Sequence, residues 1–143
     1  MKRILFYSIV VLCFGLTACS LDDDDSLFYE FVPVESVETP DELVRGEITD
    51  LIITYQKPTA CHQFYGFEYG RSGNTRIVYV VTYGFDGDNS NCAERAEVEE
   101  SNVSLPFLAG SEDSYIFKFW QGKDEEEKNQ FLTVEVPVVA SKN

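Results

Sequence analysis

His62 is the only histidine in the chain, and Cys61 stands beside it. A Cys–His pair is the arrangement of a thiolate with its base, a chemistry that requires a free thiol. Cys61, His62 and Cys92 together offer three metal ligands without C-x-x-C spacing, one short of a structural zinc site. A third candidate is the segment from Asp86 to Glu97, which places oxygens at positions 1, 3, 5, 9 and 12 of a calcium loop. Asp86, Asp88, Ser90 and Glu97 would be ligands, with the Cys92 carbonyl between them. Two features depart from that pattern: Asn91 stands where the loop has glycine, and a strand rather than a helix leads in. Asparagine does tolerate left-handed backbone. Calcium is therefore expected, if at all, as a stabilising ion on a turn-rich loop. No G-x-S-x-G elbow, phosphate loop or G-x-G-x-x-G occurs. Paired glycosidase carboxylates need a cleft holding them about 5–9.5 Å apart, and Glu125-Glu126-Glu127 reads instead as a solvated turn. These residues predict no enzyme.

The chain has 143 residues, with 11 Lys+Arg against 25 Asp+Glu and a formal charge of −14. Nucleic acid is excluded as an expected partner, because phosphate backbones are held by clusters of Lys and Arg. The hydrophobic fraction of 44% is too high for a disordered chain, and the length is that of one domain.

Lys2 and Arg3 precede an apolar run from Ile4 to Leu16. A spanning helix takes about 20 apolar residues; this run has the proportions of a secretory h-region. Leu16-Thr17-Ala18-Cys19 follows, and it resembles the lipobox of bacterial lipoproteins. The resemblance implies cleavage before Cys19, a diacylglycerol on its sulfur and an acylated amino group, so that Cys19 holds the chain to a membrane. Ser20-Leu21 and the acidic run Asp22 to Asp25 are similar to the export signal of Bacteroidota surface lipoproteins, with Leu21 a departure from it. That similarity implies the outer membrane and display at the cell surface. On its own the run reads as a solvated, self-repelling tether. Asp25-Ser26-Leu27 is similar to an O-glycosylation site of the same bacteria. The expected divisions are 1–18 signal peptide, 19–27 tether and 28–143 folded domain. Cys13 would leave with the leader and Cys19 would carry lipid. Cys61 and Cys92 then remain as a pair in an oxidising compartment, and a disulfide is expected between them. It would consume the thiol that a Cys61–His62 dyad needs.

Short alternating runs fill the rest of the chain, broken by turn residues. Phe28 to Glu38 reads as an edge or bulged strand because it contains Pro33. Ile48 to Tyr55 puts Leu51, Ile53 and Tyr55 on one face. Gln63 to Tyr69 and Arg76 to Phe85 flank a Gly-rich connector, residues 70–74, and predict a hairpin. Ala93 to Glu100 is ambiguous between helix and strand, and Val103 to Phe107 is a short strand. Tyr115 to Trp120 and Phe131 to Val139 form a second hairpin around a charged turn. About seven strands with no period-3.6 segment predict an all-β sandwich. Glu112-Asp113-Ser114-Tyr115-Ile116-Phe117 resembles the tyrosine corner of immunoglobulin-like domains. The resemblance implies an immunoglobulin-like sandwich in which the Tyr115 hydroxyl bonds back to the backbone and Phe117 replaces the second antibody cysteine. Cys92 precedes that corner, so the Cys61–Cys92 pair is not the antibody inter-sheet bridge. A lipocalin-type barrel is the competing fold and would need eight or more longer strands around a cavity.

Tyr65, Phe67, Tyr69, Tyr79, Tyr83 and Trp120 offer ring faces suited to sugars. A domain of this size is expected to need most of them in its core. Trp120, out of phase with Tyr115, Phe117 and Phe119, is the expected exposed binding residue. The functional expectation is a non-catalytic binding or structural module at the outer membrane, with an envelope protein or a glycan as partner. The alternatives are a small-barrel ligand carrier and a calcium-stabilised glycan-binding module.

Overall fold

The computed structural model describes residues 26–86 and 94–141. Nine strands occur among them: β1 (Ser26–Val32), β2 (Val34–Glu38), β3 (Leu43–Val44), β4 (Ile48–Thr59), β5 (Gln63–Ser72), β6 (Thr75–Asp86), β7 (Glu94–Leu108), β8 (Ser114–Lys123) and β9 (Asn129–Val139). They form two sheets. The larger runs β1-β6-β8-β9-β3 with β5 on the other edge of β6, and the smaller runs β2-β4-β7. The fold is an all-β sandwich rather than a closed barrel.

Two strands more than expected arise from identifiable causes. Pro33 splits the Phe28–Glu38 run: β1 pairs with β6 in the larger sheet and β2 with β4 in the smaller. Proline has no N–H to continue a ladder, so the chain changes sheets there. The second addition is β3, two residues parallel to the end of β9. The ambiguous Ala93–Glu100 segment is strand from Glu94 onward, continuous with the Val103–Phe107 run as β7. Its ladder with β4 runs from Ile48↔Leu108 to Thr59↔Glu94, and tertiary pairing overrides the helix propensity of Ala and Glu. Pro106 lies on β7, an edge strand, where a sheet tolerates a missing N–H. Pro58 sits inside β4 at the register shift between Lys57 and Thr59. The hairpin connector is shorter than the Gly-rich run: only Gly73 and Asn74 separate β5 from β6, with Gly73 at φ 57°.

The core forms where alternate residues of the two sheets meet. Leu51, Ile53 and Tyr55 of β4 and Phe107 of β7 pack with Val78 and Val80 of β6 and with Tyr115, Phe117 and Phe119 of β8. Phe107 makes edge contacts across the sheets to Tyr115 at 4.7 Å and to Phe117 at 4.9 Å. The tyrosine corner is present: Gly110 N–H donates to the Tyr115 hydroxyl at 2.9 Å. A Cβ at Gly110 would meet that same oxygen at 2.9 Å, so a side chain there would crowd the bond. The sheets are not wholly antiparallel, because β6 and β8 pair parallel over Thr75–Val78. Tyr115→Phe keeps the ring and removes the bond. It should cost about 1–2 kcal/mol of unfolding free energy in urea titrations, and an unchanged midpoint would argue against a stabilising role for the corner.

Burial raises the Tyr55 hydroxyl above the ordinary tyrosine value, with a smaller opposing effect from its hydrogen bond to Ser101. The unfolded chain therefore ionises first as pH climbs past about 10, and stability falls with further increase. Tyr55→Phe should flatten that alkaline loss in denaturation midpoints measured from pH 8 to 11.

Candidate functional site

A sandwich sheet buries one face and is expected to show polar residues on the other. The larger sheet does not follow this rule. On β6 the inward residues are Val78, Val80 and Thr82, all buried, which sends Tyr79, Val81 and Tyr83 outward. The β1 register brings Tyr29 opposite Tyr83, Phe31 opposite Val81 and Leu27 opposite Phe85, so the outward side of β1 is apolar as well. On β8 and β9, Trp120 pairs with Phe131 on the same side.

The rings form two connected groups. Tyr29 meets Tyr65 edge-on at 4.7 Å, and Tyr65 reaches Tyr83 at 6.4 Å. Tyr79 contacts Phe31 at 5.1 Å, Trp120 at 5.8 Å and Phe131 at 6.1 Å. Between the groups lies an open cleft of about 540 Å³ bordered by Tyr29, Phe31, Tyr65, Gly66, Glu68 and Val81. A register shift between Phe64 and Gly66 leaves Tyr65 as the extra residue of a bulge, a device that re-aims a side chain. Tyr65 is 63% exposed and Tyr29 53%. Gly66 has open space above its Cα, which keeps the floor of the cleft low.

The expectation that most of the aromatic residues lie in the core is corrected here. Of the six, Phe67 packs against the core and Tyr69 is half exposed. Tyr65, Tyr79, Tyr83 and Trp120 share the outer aromatic groups. Trp120 is half-buried, its indole N–H donating to Asn129 Oδ1 at 3.0 Å, and Tyr65 is the more exposed ring. The period-2 pattern of Leu27, Tyr29 and Phe31 is written in the sequence, but a tether boundary drawn at residue 27 hides it. β1 in fact begins at Ser26.

His62 is 4% exposed. Its Nδ1 lies 2.8 Å from Thr59 Oγ1 and its Nε2 2.9 Å from Glu30 Oε2, with the Phe28 ring edge-on at 5.4 Å. Both ring nitrogens are engaged, and the histidine joins the turn after β4 to β1. The Glu30 partner, 32 positions away in sequence, left no local signal. Cys61 lies in that same turn, its N–H donating to Thr59 Oγ1 at 3.2 Å.

Cys19, Cys92, Asp88 and Ser90 lie outside the described residues, as do the side chains of Asp86, at the end of β6, and Glu97, within β7. No group of three or more His, Cys, Asp or Glu that could hold a metal occurs among the described residues. Glu125, Glu126 and Glu127 are exposed in the β8–β9 turn, where Asp124 Oδ1 accepts the N–H groups of Glu126 and Lys128. No protein-family model, curated protein or solved structure matches this chain.

Proposed function

We propose that this chain is a lipid-anchored, non-catalytic binding module of the bacterial outer membrane, displayed at the cell surface, and that it engages an envelope protein or glycan through the outer aromatic face of its larger sheet. The observation that carries the reading is that face itself. Tyr29, Phe31 and Tyr65 stand well exposed where a sandwich ordinarily presents polar side chains. The anchor rests on Leu16-Thr17-Ala18-Cys19 and the address on the acidic run behind it. The non-catalytic reading is supported by the burial of His62, which is 4% exposed and joins the turn after β4 to β1.

A Cys61–Cys92 disulfide belongs to the same proposal. The β4–β7 ladder ends with Thr59 paired to Glu94, and in the sequence Cys61 follows Thr59 by two residues while Cys92 precedes Glu94 by two, a proximity that supports the pairing.

Growth with an alkyne-bearing fatty acid should label the wild-type chain and not Cys19→Ala, and protease added to intact cells should digest the domain. A photo-crosslinking residue in place of Tyr65 should capture a partner that the same residue at Glu112 does not. An unlabelled wild-type chain would refute the anchor. Equal capture at both positions would refute the face.

A further inference from the structure

Away from the aromatic face, the sandwich has an open flank. β5 pairs only with β6 and β7 only with β4, so each is the edge of its sheet. Between these two edges is a cleft of about 420 Å³ bordered by Tyr69, Arg71, Arg76, Leu105 and Phe107. Its size falls in the range of small-molecule sites. Its walls are apolar and aromatic, and its charges are both positive.

The placement of those charges is unusual for this chain. The register sets Arg71 directly opposite Arg76, and like charges so placed on neighbouring strands repel. The chain carries 25 acidic residues against 11 basic ones. Yet neither guanidinium forms an ion pair among the described residues. Arg76 is also held in position. Its Nη1 donates to the carbonyls of Gly73 at 2.8 Å and Thr75 at 3.0 Å, and its guanidinium lies over the Tyr115 ring, 4.8 Å from the centroid. Arg71, at the exposed rim, has no such fixation. A fixed guanidinium facing a free one across neighbouring strands, without a carboxylate between them, is an arrangement an anion would relieve.

We propose that this cleft binds a small organic oxyanion, a carboxylate or phosphate on an apolar body, with its oxygens shared between Arg71 and Arg76 and its body against Tyr69, Leu105 and Phe107. Arg71 offers a planar fork of donors matched to such oxygens, and Arg76 adds the donors that its bonds to Gly73 and Thr75 leave over. The aromatic and aliphatic side chains beside the arginines give the apolar body a surface to lie against. The overall negative charge of the protein opposes the approach of an anion, but at about 0.15 M salt that field is screened beyond about 8 Å, and the two nearby arginines dominate. The site stands independently of the aromatic face.

The test uses the full chain at about 0.15 M salt, with phenyl phosphate and benzoate as probes and benzyl alcohol as their uncharged counterpart, followed by amide NMR. Both anions should shift the amides of Tyr69, Arg76 and Phe107, and benzyl alcohol should leave them in place. Arg71→Gln should weaken anion binding at least about tenfold, and Arg71→Lys, which keeps the charge and loses the fork, should lie between. Arg71→Gln should also melt no lower than the wild type, since it removes a repulsion. No response to either anion, equal response to benzyl alcohol, or unchanged anion affinity in Arg71→Gln would each overturn the assignment. So would a lower melting temperature for that variant, because the arginines would then not be in opposition.

Discussion

Phe117→Ala is expected to lower the unfolding free energy by about 3–5 kcal/mol, the range for deleting a fully buried aromatic ring. Phe117 has no exposed surface and lies where the sheets are in closest aromatic contact. It stacks on Phe119 at 6.1 Å, tilts against Tyr115 at 6.3 Å and receives the Phe107 ring from the opposite sheet at 4.9 Å. Its neighbours along β8 are held by ladders on both sides, to β6 and to β9. The surrounding backbone therefore has little freedom to collapse into the space left behind, which places the cost toward the upper end of the range. Urea titration followed by Trp120 fluorescence would measure it. A loss under about 1 kcal/mol would mean that the two sheets are not packed as a common core.

The second large effect is expected at the proposed Cys61–Cys92 bond. It would close a loop of roughly 30 residues, for which the chain-entropy account gives about 3–4 kcal/mol. The Cys61→Ser/Cys92→Ser double variant should unfold at correspondingly lower urea. Adding reductant should move the wild type to the same midpoint and leave the variant unaffected. The double variant is the informative one, since a single substitution leaves a stray thiol free to pair elsewhere. Coincident midpoints for wild type and double variant under oxidising conditions would refute the bond. The His62 contacts give the turn a second means of support, so the domain should remain folded without the bridge.

What the sequence disclosed and what it withheld divide along physical lines. Leu51, Ile53 and Tyr55 on β4 and Tyr115, Phe117 and Phe119 on β8 were readable, because a period of two names the residues that share a face, and all six are buried. Tyr115 was readable as a corner because Glu112 to Phe117 resembles that motif, and the structure adds the partner, Gly110, five residues back along the chain. Periodicity does not say which of two apolar faces turns inward. Tyr79, Val81 and Tyr83 were as hydrophobic a candidate core as Val78 and Val80, and packing against β4 and β7 decided the matter. The Glu30–His62 contact and the Arg71–Arg76 opposition were beyond reach for a related reason: each depends on a strand register that no local pattern records. Propensity failed at Ala93–Glu100 because it describes a segment in isolation, and β7 exists through its partner β4.

Pro33 has a mechanical consequence. By sending β2 to the other sheet, it leaves the seven residues of β1 zipped to β6 alone along one margin. If the anchor is at Cys19, tension from the membrane enters the domain through this strand, and an unoccupied β1 could unzip from β6 pair by pair. A partner laid across Tyr29 and Tyr65 would rivet β1 to β5 over the top of β6. Grip on the partner and resistance to being torn from the cell would then increase together.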